Sequence, residues 1–198
     1  MANYKNPALR QLKDQQVRFS PRDLRLQQIE RAEKLLEEIR HDQEYRYQDL
    51  CFRITSYRTE LYPDLKVSGE DAAHDLRLFI EDLSDSADIP AETAAEKVYT
   101  VEEVSKQFHV STKTVDRWRN RGLVSRRFMF GNRKRVGFLK SAVERFVSQH
   151  ADDVERSSRF SQLSEEEREE IISRARRLAR AGGCPAEISR RIARPLNR

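Results

Sequence analysis

The sequence has little of what builds disulfide frameworks or membrane spans. Two of its 198 residues are cysteine and six are glycine. Cys51 and Cys184 lie far apart in different segments, which fits reduced thiols better than a disulfide framework. No run approaches the roughly 20 apolar residues that a helix needs to cross a bilayer. The amino terminus also lacks an apolar core of signal-peptide length. We therefore expect a cytoplasmic protein without membrane contact.

Signals for catalysis and for cofactor binding are also sparse. The four histidines (His41, His74, His109 and His150) are dispersed and lack metal-ligand spacing with either cysteine. There is no glycine-rich phosphate loop, and no nucleophile can be matched with a base. The acidic residues are spread along helix faces, whereas metal-dependent phosphodiester chemistry needs them clustered. The sequence predicts neither enzymatic activity nor a bound cofactor or metal.

Charge is distributed unevenly along the chain. Residues 1–97 carry 15 Lys/Arg and 20 Asp/Glu, a net charge of −5, whereas residues 98–198 carry 23 and 13, a net charge of +10. A basic half joined to an acidic half predicts a polyanionic partner for the basic half. A basic surface that is merely solvated is the alternative. Hydrophobic residues make up 37% of the chain, which is lean for one large core and favours several small helical units.

The apolar spacing predicts a mainly α-helical fold: a small amino-terminal bundle, a winged helix-turn-helix with a short β-hairpin, and carboxy-terminal helices. The predicted divisions are a flexible arm (1–19), an acidic helical domain (20–83), a linker (84–97), the winged helix-turn-helix (98–148), a second linker (149–163), and a helix followed by an incomplete second helix-turn-helix (164–198).

Three helices are predicted in the acidic domain. Ser20 caps the first, the second ends before Pro63, and Ser68 caps the third. Each has an apolar stripe with steps of three and four residues: Leu26, Ile29, Ala32, Leu36 and Ile39; Tyr47, Leu50, Cys51, Ile54 and Leu61; Ala72, Leu76, Phe79, Ile80 and Leu83. We expect these stripes to form a core; a dimer seam in residues 20–40 is the alternative.

Residues 99–150 combine an apolar pattern with 12 Lys/Arg and 4 Asp/Glu. The pattern predicts two short helices, 101–108 and 112–121, with a turn at His109, a cap at Ser111 and an end at Gly122. The apolar positions are Val104, Phe108, Val110, Val115 and Trp118. This is the spacing of a helix-turn-helix, whose second helix can enter a DNA major groove about 12 Å wide.

Polar side chains fall on the outer side of the predicted second helix. Six of them are expected to address the groove: Ser111, Thr112, Lys113, Arg117, Asn120 and Arg121. Hydroxyls and backbone N–H groups at a helix amino terminus suit phosphates, and Arg or Asn can contact guanine or adenine edges in bidentate fashion. Asp116 stands apart, since phosphate repels a carboxylate; it either accepts from a cytosine amino group or pairs with Arg119 or Lys113.

A β-hairpin is predicted next, because Phe128 and Phe130 alternate with other residues ahead of a Gly131–Asn132 turn. The cations around it give it the character of a wing. Five of them are expected to contact the DNA backbone: Arg126, Arg127, Arg133, Lys134 and Arg135. Phe138, Val143 and Phe146 are expected to support the two helices from below.

The stretch from "YTVEEVSKQFHVSTKTVDRWRNRGLV" to "FLKSAVERFV" resembles the winged helix-turn-helix of the MerR and phage-excisionase families. It departs from them at His109, where glycine or asparagine is frequent because the backbone turns there. The resemblance implies double-stranded DNA as the partner. A three-helix interaction module with incidental charge is the alternative.

The carboxy-terminal segment predicts a further helix, with Ser164 and Glu167 as a capping box and Gly182–Gly183 at its end. "CPAEISRRIARPLNR" then resembles the start of another helix-turn-helix, with Ile188, Ile192 and Leu196 at steps of four. The second helix of that motif would begin where the sequence stops. Either the chain is truncated, which we favour, or the resemblance is accidental.

Taken in order, "YKNPALRQLKDQQVRF", "HDLRLFIEDLS", "VSTKTVDRWRNRGLVSRRF" and "LSEEEREEIISRARRLARAGGCPAEISRRIAR" are similar to the amino-terminal extension of sigma-70-type RNA polymerase sigma factors of planctomycete bacteria. The resemblance implies a role in transcription initiation or regulation, with RNA polymerase as a second partner. No segment matches the parts of a sigma factor that grip polymerase and read the promoter. The alternative function is a protein-interaction module that docks on RNA polymerase or another regulator and has non-specific DNA affinity alone.

Overall fold

The computed structural model describes residues 3–159, 165–182, 184, 185, 187, 188 and 191. It divides into two compact units, residues 1–158 and 159–198. The fold is mainly helical with small antiparallel sheets, which confirms the predicted fold class. In chain order the elements are α1 (Pro7–Phe19), α2 (Arg22–Glu38), β1 (Glu44–Arg46), α3 (Tyr47–Thr55), β2 (Lys66–Ser68), α4 (Gly69–Ala87), a 3-10 turn (Ala91–Thr93), β3 (Val98–Thr100), α5 (Val101–Gln107), α6 (Thr112–Asn120), β4 (Arg126–Phe130), β5 (Arg133–Leu139), α7 (Lys140–Gln149), α8 (Ala151–Arg159) and α9 (Glu165–Arg180).

The predicted flexible arm is wrong, because most of residues 1–19 form α1. The Asn6 side chain accepts a hydrogen bond from the backbone N–H of Ala8 (2.9 Å), and Pro7 occupies the first helical turn. Leu9 and Leu12 are buried. The backbone N–H groups of Lys5 and Asn6 also donate to the buried carboxylate of Asp75, each at 2.7 Å. These contacts hold α1 against α4.

The helices α2, α3 and α4 build the bundle core. All five predicted stripe residues of α4 are buried, and Ser68 caps it by accepting from the Asp71 N–H at 3.2 Å. Two details differ from the prediction. Ser20 ends α1 and donates to Gln16 Oε1 (2.6 Å), so Pro21 precedes α2 without a side-chain cap. The helix α3 ends at Thr55, because Ser56 adopts the left-handed conformation with φ +60°.

A two-stranded antiparallel sheet, β1 with β2, closes one side of the bundle. The sequence pattern did not predict this sheet. Gly69 follows β2 and donates its N–H to the Gln43 carbonyl at 2.7 Å. A Cβ at this position would overlap the carbonyl oxygen of Arg40, so the junction between β2 and α4 requires glycine.

The winged module has a three-stranded antiparallel sheet in the order β3–β5–β4. The predicted hairpin is confirmed: Phe130 pairs with Arg133 around a two-residue Gly131–Asn132 turn. Gly131 has φ +57°, as the first central residue of a type II′ turn requires. The short strand β3 was not predicted; its Tyr99 pairs with Phe138 of β5.

The predicted linker at 84–97 is also wrong, because this segment is part of the packed unit. Helix α4 runs through Ala87, and Ser84, Ala87 and Ile89 are buried. The carbonyl of Ile89 accepts from the N–H of Met129 at 2.7 Å, which attaches the segment to β4. Phe128 of β4 packs in the core of the bundle. The bundle and the winged module therefore form one unit and not two linked domains.

The second predicted linker, 149–163, is helical over most of its length, since α8 spans Ala151–Arg159 and Val154 is buried in the core of the winged module. Residues 160–164, with the expected cap Ser164, lie outside the described residues. The unit 159–198 contains α9, and most of the expected second helix-turn-helix lies outside the described residues. Among the described residues, no helix has both the length and the apolar character needed to cross a bilayer.

Candidate nucleic-acid interface

The helices α5 and α6 are joined by a tight turn whose hydrogen bonds are local. Thr100 and Glu103 form a capping box at the start of α5: Glu103 N–H donates to Thr100 Oγ1 at 3.1 Å, and Thr100 N–H donates to Glu103 Oε2 at 2.8 Å. His109 adopts φ +53°, the conformation for which glycine is frequent in such turns. Val110 N–H then donates to the Ser105 carbonyl at 3.0 Å, which closes the turn.

The helix α6 is seated by its apolar face. Val115 and Trp118 are buried, together with Val104 of α5 and Val110 of the turn. The Trp118 ring meets the ring of Phe146 of α7 at a centroid distance of 5.5 Å, and it also contacts Phe108. Ser111 caps α6 by accepting from the Thr114 N–H at 3.1 Å. The Ser111 oxygen is thus committed to the cap.

The outer face of α6 is open to solvent. Lys113, Arg117 and Asn120 are exposed, as is Thr112 at the first turn. Lys113, Arg117 and Asn120 follow one another at steps of four and three, so they share one side of the helix. The acidic bundle does not cover this side. It packs against β4 of the wing, through α4 and the segment that follows α4, and it meets α6 at Arg119, to one side of the exposed face.

The structure sorts the eight predicted DNA-binding cations into two groups. Within the described part of the chain, five form no ion pair: Lys113, Arg117, Arg127, Arg133 and Arg135. Three pair with carboxylates of the same unit. Arg121 reaches Asp153 at 3.2 Å, Arg126 reaches Glu33 and Lys134 reaches Asp88. The cationic character that the sequence displays is therefore partly neutralised from within.

Arg126 joins the wing to the bundle. Its Nε and one terminal nitrogen donate to the two carboxylate oxygens of Glu33 on α2, each at 2.6 Å. The two side chains keep 14% and 16% of their exposure, so the pair is largely shielded from water. A bidentate, shielded guanidinium–carboxylate pair is a structural contact. The predicted contact of Arg126 with the DNA backbone is therefore replaced by a structural role.

Lys134 caps the carboxy-terminal end of α4. Its Nζ donates to the Asp85 carbonyl at 2.6 Å and pairs with the Asp88 carboxylate at 2.9 Å. A cation is favoured at this end of a helix by the helix dipole. The hydrogen bond and the charge of Lys134 lower the pKa of Asp88, and the hydrogen bond of Asp88 raises the pKa of Lys134. The predicted contact of Lys134 with a DNA phosphate competes with these contacts to Asp85 and Asp88.

Arg119 pairs with Asp116, which is one of the alternatives that the sequence left open, and it belongs to a larger network that the sequence pattern did not predict. One terminal nitrogen of Arg119 donates to Asp116 Oδ1 at 3.1 Å, its Nε donates to Ser125 Oγ at 3.2 Å, and its other terminal nitrogen donates to Glu81 of α4. Ser125 in turn donates to Glu81 Oε1 at 2.6 Å. Burial lowers the pKa of Arg119, but the hydrogen bonds and charges of Glu81 and Asp116 outweigh it, and the pKa rises. No local pattern links Glu81 to α6.

Among the described residues, no three or more His, Cys, Asp or Glu side chains are placed to hold a metal ion. The candidate interface is a polar, cationic surface formed by the outer face of α6 and by the wing arginines that form no ion pair among the described residues.

Comparisons with known proteins give no relative. No protein-family model, no curated protein and no solved structure matches this chain.

Proposed function

We propose that the protein binds double-stranded DNA with sequence specificity, with α6 in the major groove and the wing on the backbone. One observation carries the proposal. The exposed side of α6 presents Lys113, Arg117 and Asn120 to solvent, none of them in an ion pair among the described residues, while a buried tryptophan fixes the opposite side. A convex helix about 10–12 Å across fits a major groove about 12 Å wide.

The roles follow from side-chain chemistry. Arg117 suits the O6 and N7 acceptors of guanine, and Asn120 suits the N6 and N7 groups of adenine. Thr112 and Lys113, at the amino-terminal end of α6, suit phosphate oxygens. The free wing cations Arg127, Arg133 and Arg135 supply sequence-independent attraction to the backbone.

The transcription role rests on the resemblance to the amino-terminal extension of sigma factors. Under this proposal, the protein acts in the cytoplasm in transcription initiation or regulation. DNA is the first partner and RNA polymerase the second. The fusion of the acidic bundle with the winged module fits that role, since it gives the DNA-binding unit a second, differently charged surface.

The test is a selection of DNA sequences from a random duplex library with the full chain, followed by fluorescence anisotropy on the enriched duplex. We expect enrichment of a defined site and an affinity that falls steeply with salt. Arg117→Ala should relax the preference at one base pair, at about 1–3 kcal/mol for a lost bidentate contact. A library that emerges unenriched, or binding that ignores salt, would contradict the proposal.

A second candidate is a docking role for the bundle, favoured by the apolar side chains on α3 and in the loop after it. Phe52, Tyr57 and Leu61 keep 42%, 69% and 52% of their exposure. Tyr57 and Leu61 line one cavity, and contiguous exposed apolar groups are typical of protein-contact surfaces. Co-purification with RNA polymerase core enzyme should then be lost on Tyr57→Ser, and it should be unaffected by Arg117→Ala.

A further inference from the structure

One carboxylate lies in the middle of the cationic face of α6. Asp116 is the sole acidic residue in the sequence from 109 to 123. It lies three residues after Lys113 and four before Asn120, so it shares their side of the helix. Its side chain keeps 58% of its exposure. A carboxylate here weakens the attraction of α6 for every phosphate nearby, whatever the base sequence.

The Asp116 side chain is held in place from the bundle. Arg119 binds its Oδ1 at 3.1 Å, and Arg119 is itself fixed by Glu81 and by Ser125 Oγ. The Arg119 and Glu81 side chains keep 24% and 18% of their exposure. Each of the three guanidinium nitrogens of Arg119 makes a hydrogen bond within the protein, so none is left to contact DNA. Within the described residues Oδ2 of Asp116 accepts no hydrogen bond, which leaves an oriented acceptor on the outer face.

We propose that Asp116 is a specificity-determining residue that accepts a hydrogen bond from the N4 amino group of a cytosine. This inference rests on the proposed function. In the major groove an amino donor is presented by cytosine and by adenine alone. The adenine amino group lies between two acceptors, its own N7 and O4 of the paired thymine, and both repel a carboxylate. The cytosine amino group has an acceptor, O6 of the paired guanine, on one side alone. Arg119 and Glu81 act as positioning residues.

A carboxylate that reads a base has two effects of opposite sign. It lowers the affinity for DNA in general, because phosphates repel it, and it raises the preference for one base pair. A carboxylate with a purely structural role contacts no base, so its removal would leave the base preference at every position of the DNA site unchanged. Removing Asp116 should therefore tighten binding to unrelated duplexes and remove a single preference.

The experiment compares full-length wild type with Asp116→Ala and Asp116→Asn on the selected duplex and on versions with the other three base pairs at each position. For wild type, we expect one cytosine that is preferred by about 5- to 150-fold, the range of a good base contact. Asp116→Ala should reduce that ratio to roughly one, because the acceptor is gone. Asp116→Asn should move the preference toward adenine, since an amide pairs with the N6 and N7 groups.

The matched control is Glu144→Gln on α7. Glu144 is an exposed carboxylate that pairs with Lys140 at 3.6 Å, and its removal changes the net charge as Asp116→Asn does. It should leave all base preferences unchanged. A circular dichroism spectrum identical to wild type confirms that each variant is folded, and a gain of adenine preference by Asp116→Asn cannot arise from unfolding.

The outcomes separate this inference from the proposed function. Loss of one cytosine preference in Asp116→Ala, with the rest of the site retained, supports it. If wild type selects a site and both Asp116 variants keep every preference, the assignment of Asp116 is overturned and DNA binding stands. If wild type selects no sequence at all, both are overturned.

Discussion

Some cations of the wing form ion pairs and others do not, so we expect neighbouring residues to contribute differently to DNA binding. Lys134 and Arg135 are consecutive on β5, so the two side chains leave opposite faces of the strand. Lys134 holds Asp85 and Asp88, whereas Arg135 has no ion-pair partner among the described residues. We expect Arg135→Ala to weaken DNA binding and Lys134→Ala to act mainly on stability.

The magnitude follows from counterion release. Each neutralised phosphate contributes about 0.9 to the slope of log K against log salt. If the five free cations each neutralise one phosphate, the slope is about −4.5, and affinity falls about 500-fold between 50 and 200 mM salt. If all eight predicted cations did so, the slope would be about −7 and the loss about 20,000-fold. The two expectations differ by a factor that is easily measured.

The assay is fluorescence anisotropy with the selected duplex, repeated over this salt range. Arg135→Ala should reduce the slope by about 0.9, because one phosphate contact is lost. Lys134→Ala should leave the slope unchanged, since the lysine is held by α4 in the free protein. Equal reductions in the slope for both variants would refute the division into free and paired cations, as would a wild-type slope near −7.

Three further predictions concern the frame that holds the interface. Arg126→Ala should lower the free energy of unfolding by about 3 kcal/mol in urea denaturation, because Glu33 is left shielded and unpaired, while the salt slope stays at the wild-type value; an unchanged midpoint would contradict this. Gly69→Ala should destabilise by about 3 kcal/mol, since its Cβ would overlap the Arg40 carbonyl, whereas an Ala variant as stable as wild type would show that this junction yields. Asp88, whose pKa is lowered, stabilises the fold above the ordinary carboxyl pKa near 4, and this contribution is lost as pH falls through the lower folded value; the stability difference between wild type and Asp88→Asn should therefore be constant above about pH 5 and vanish in acid.

The local features of the fold were within reach of the sequence. The cap at Ser68, the buried stripe of α4, the Ser111 cap of α6 and the Gly131–Asn132 turn all depend on residues within a few positions of one another. Caps, stripes and tight turns are set by such short-range spacing. The face of α6 that presents Arg117 and Asn120 follows from the same periodicity.

The wrong predictions for residues 1–19 and 84–97 share a cause. Both segments are rich in polar and small residues, which are typical of loops. Their order comes from distant partners. The Asp75 carboxylate accepts a hydrogen bond from the backbone N–H of Lys5, 70 positions away, and the Ile89 carbonyl accepts one from the backbone N–H of Met129. A short-range pattern carries no record of such contacts.

Local spacing in the sequence was enough to predict a helix-turn-helix with a cationic outer face and a wing. Which charges this surface retains depends on the tertiary contacts of each side chain. Arg126 donates a hydrogen bond to Glu33, 93 positions away in the sequence. Lys134 donates one to Asp85, 49 positions away, and Arg119 donates one to Glu81, 38 positions away. The energy of an ion pair depends on the distance between the two charges in space, and it falls as that distance grows. Separation along the chain therefore cannot predict which cations are left for DNA.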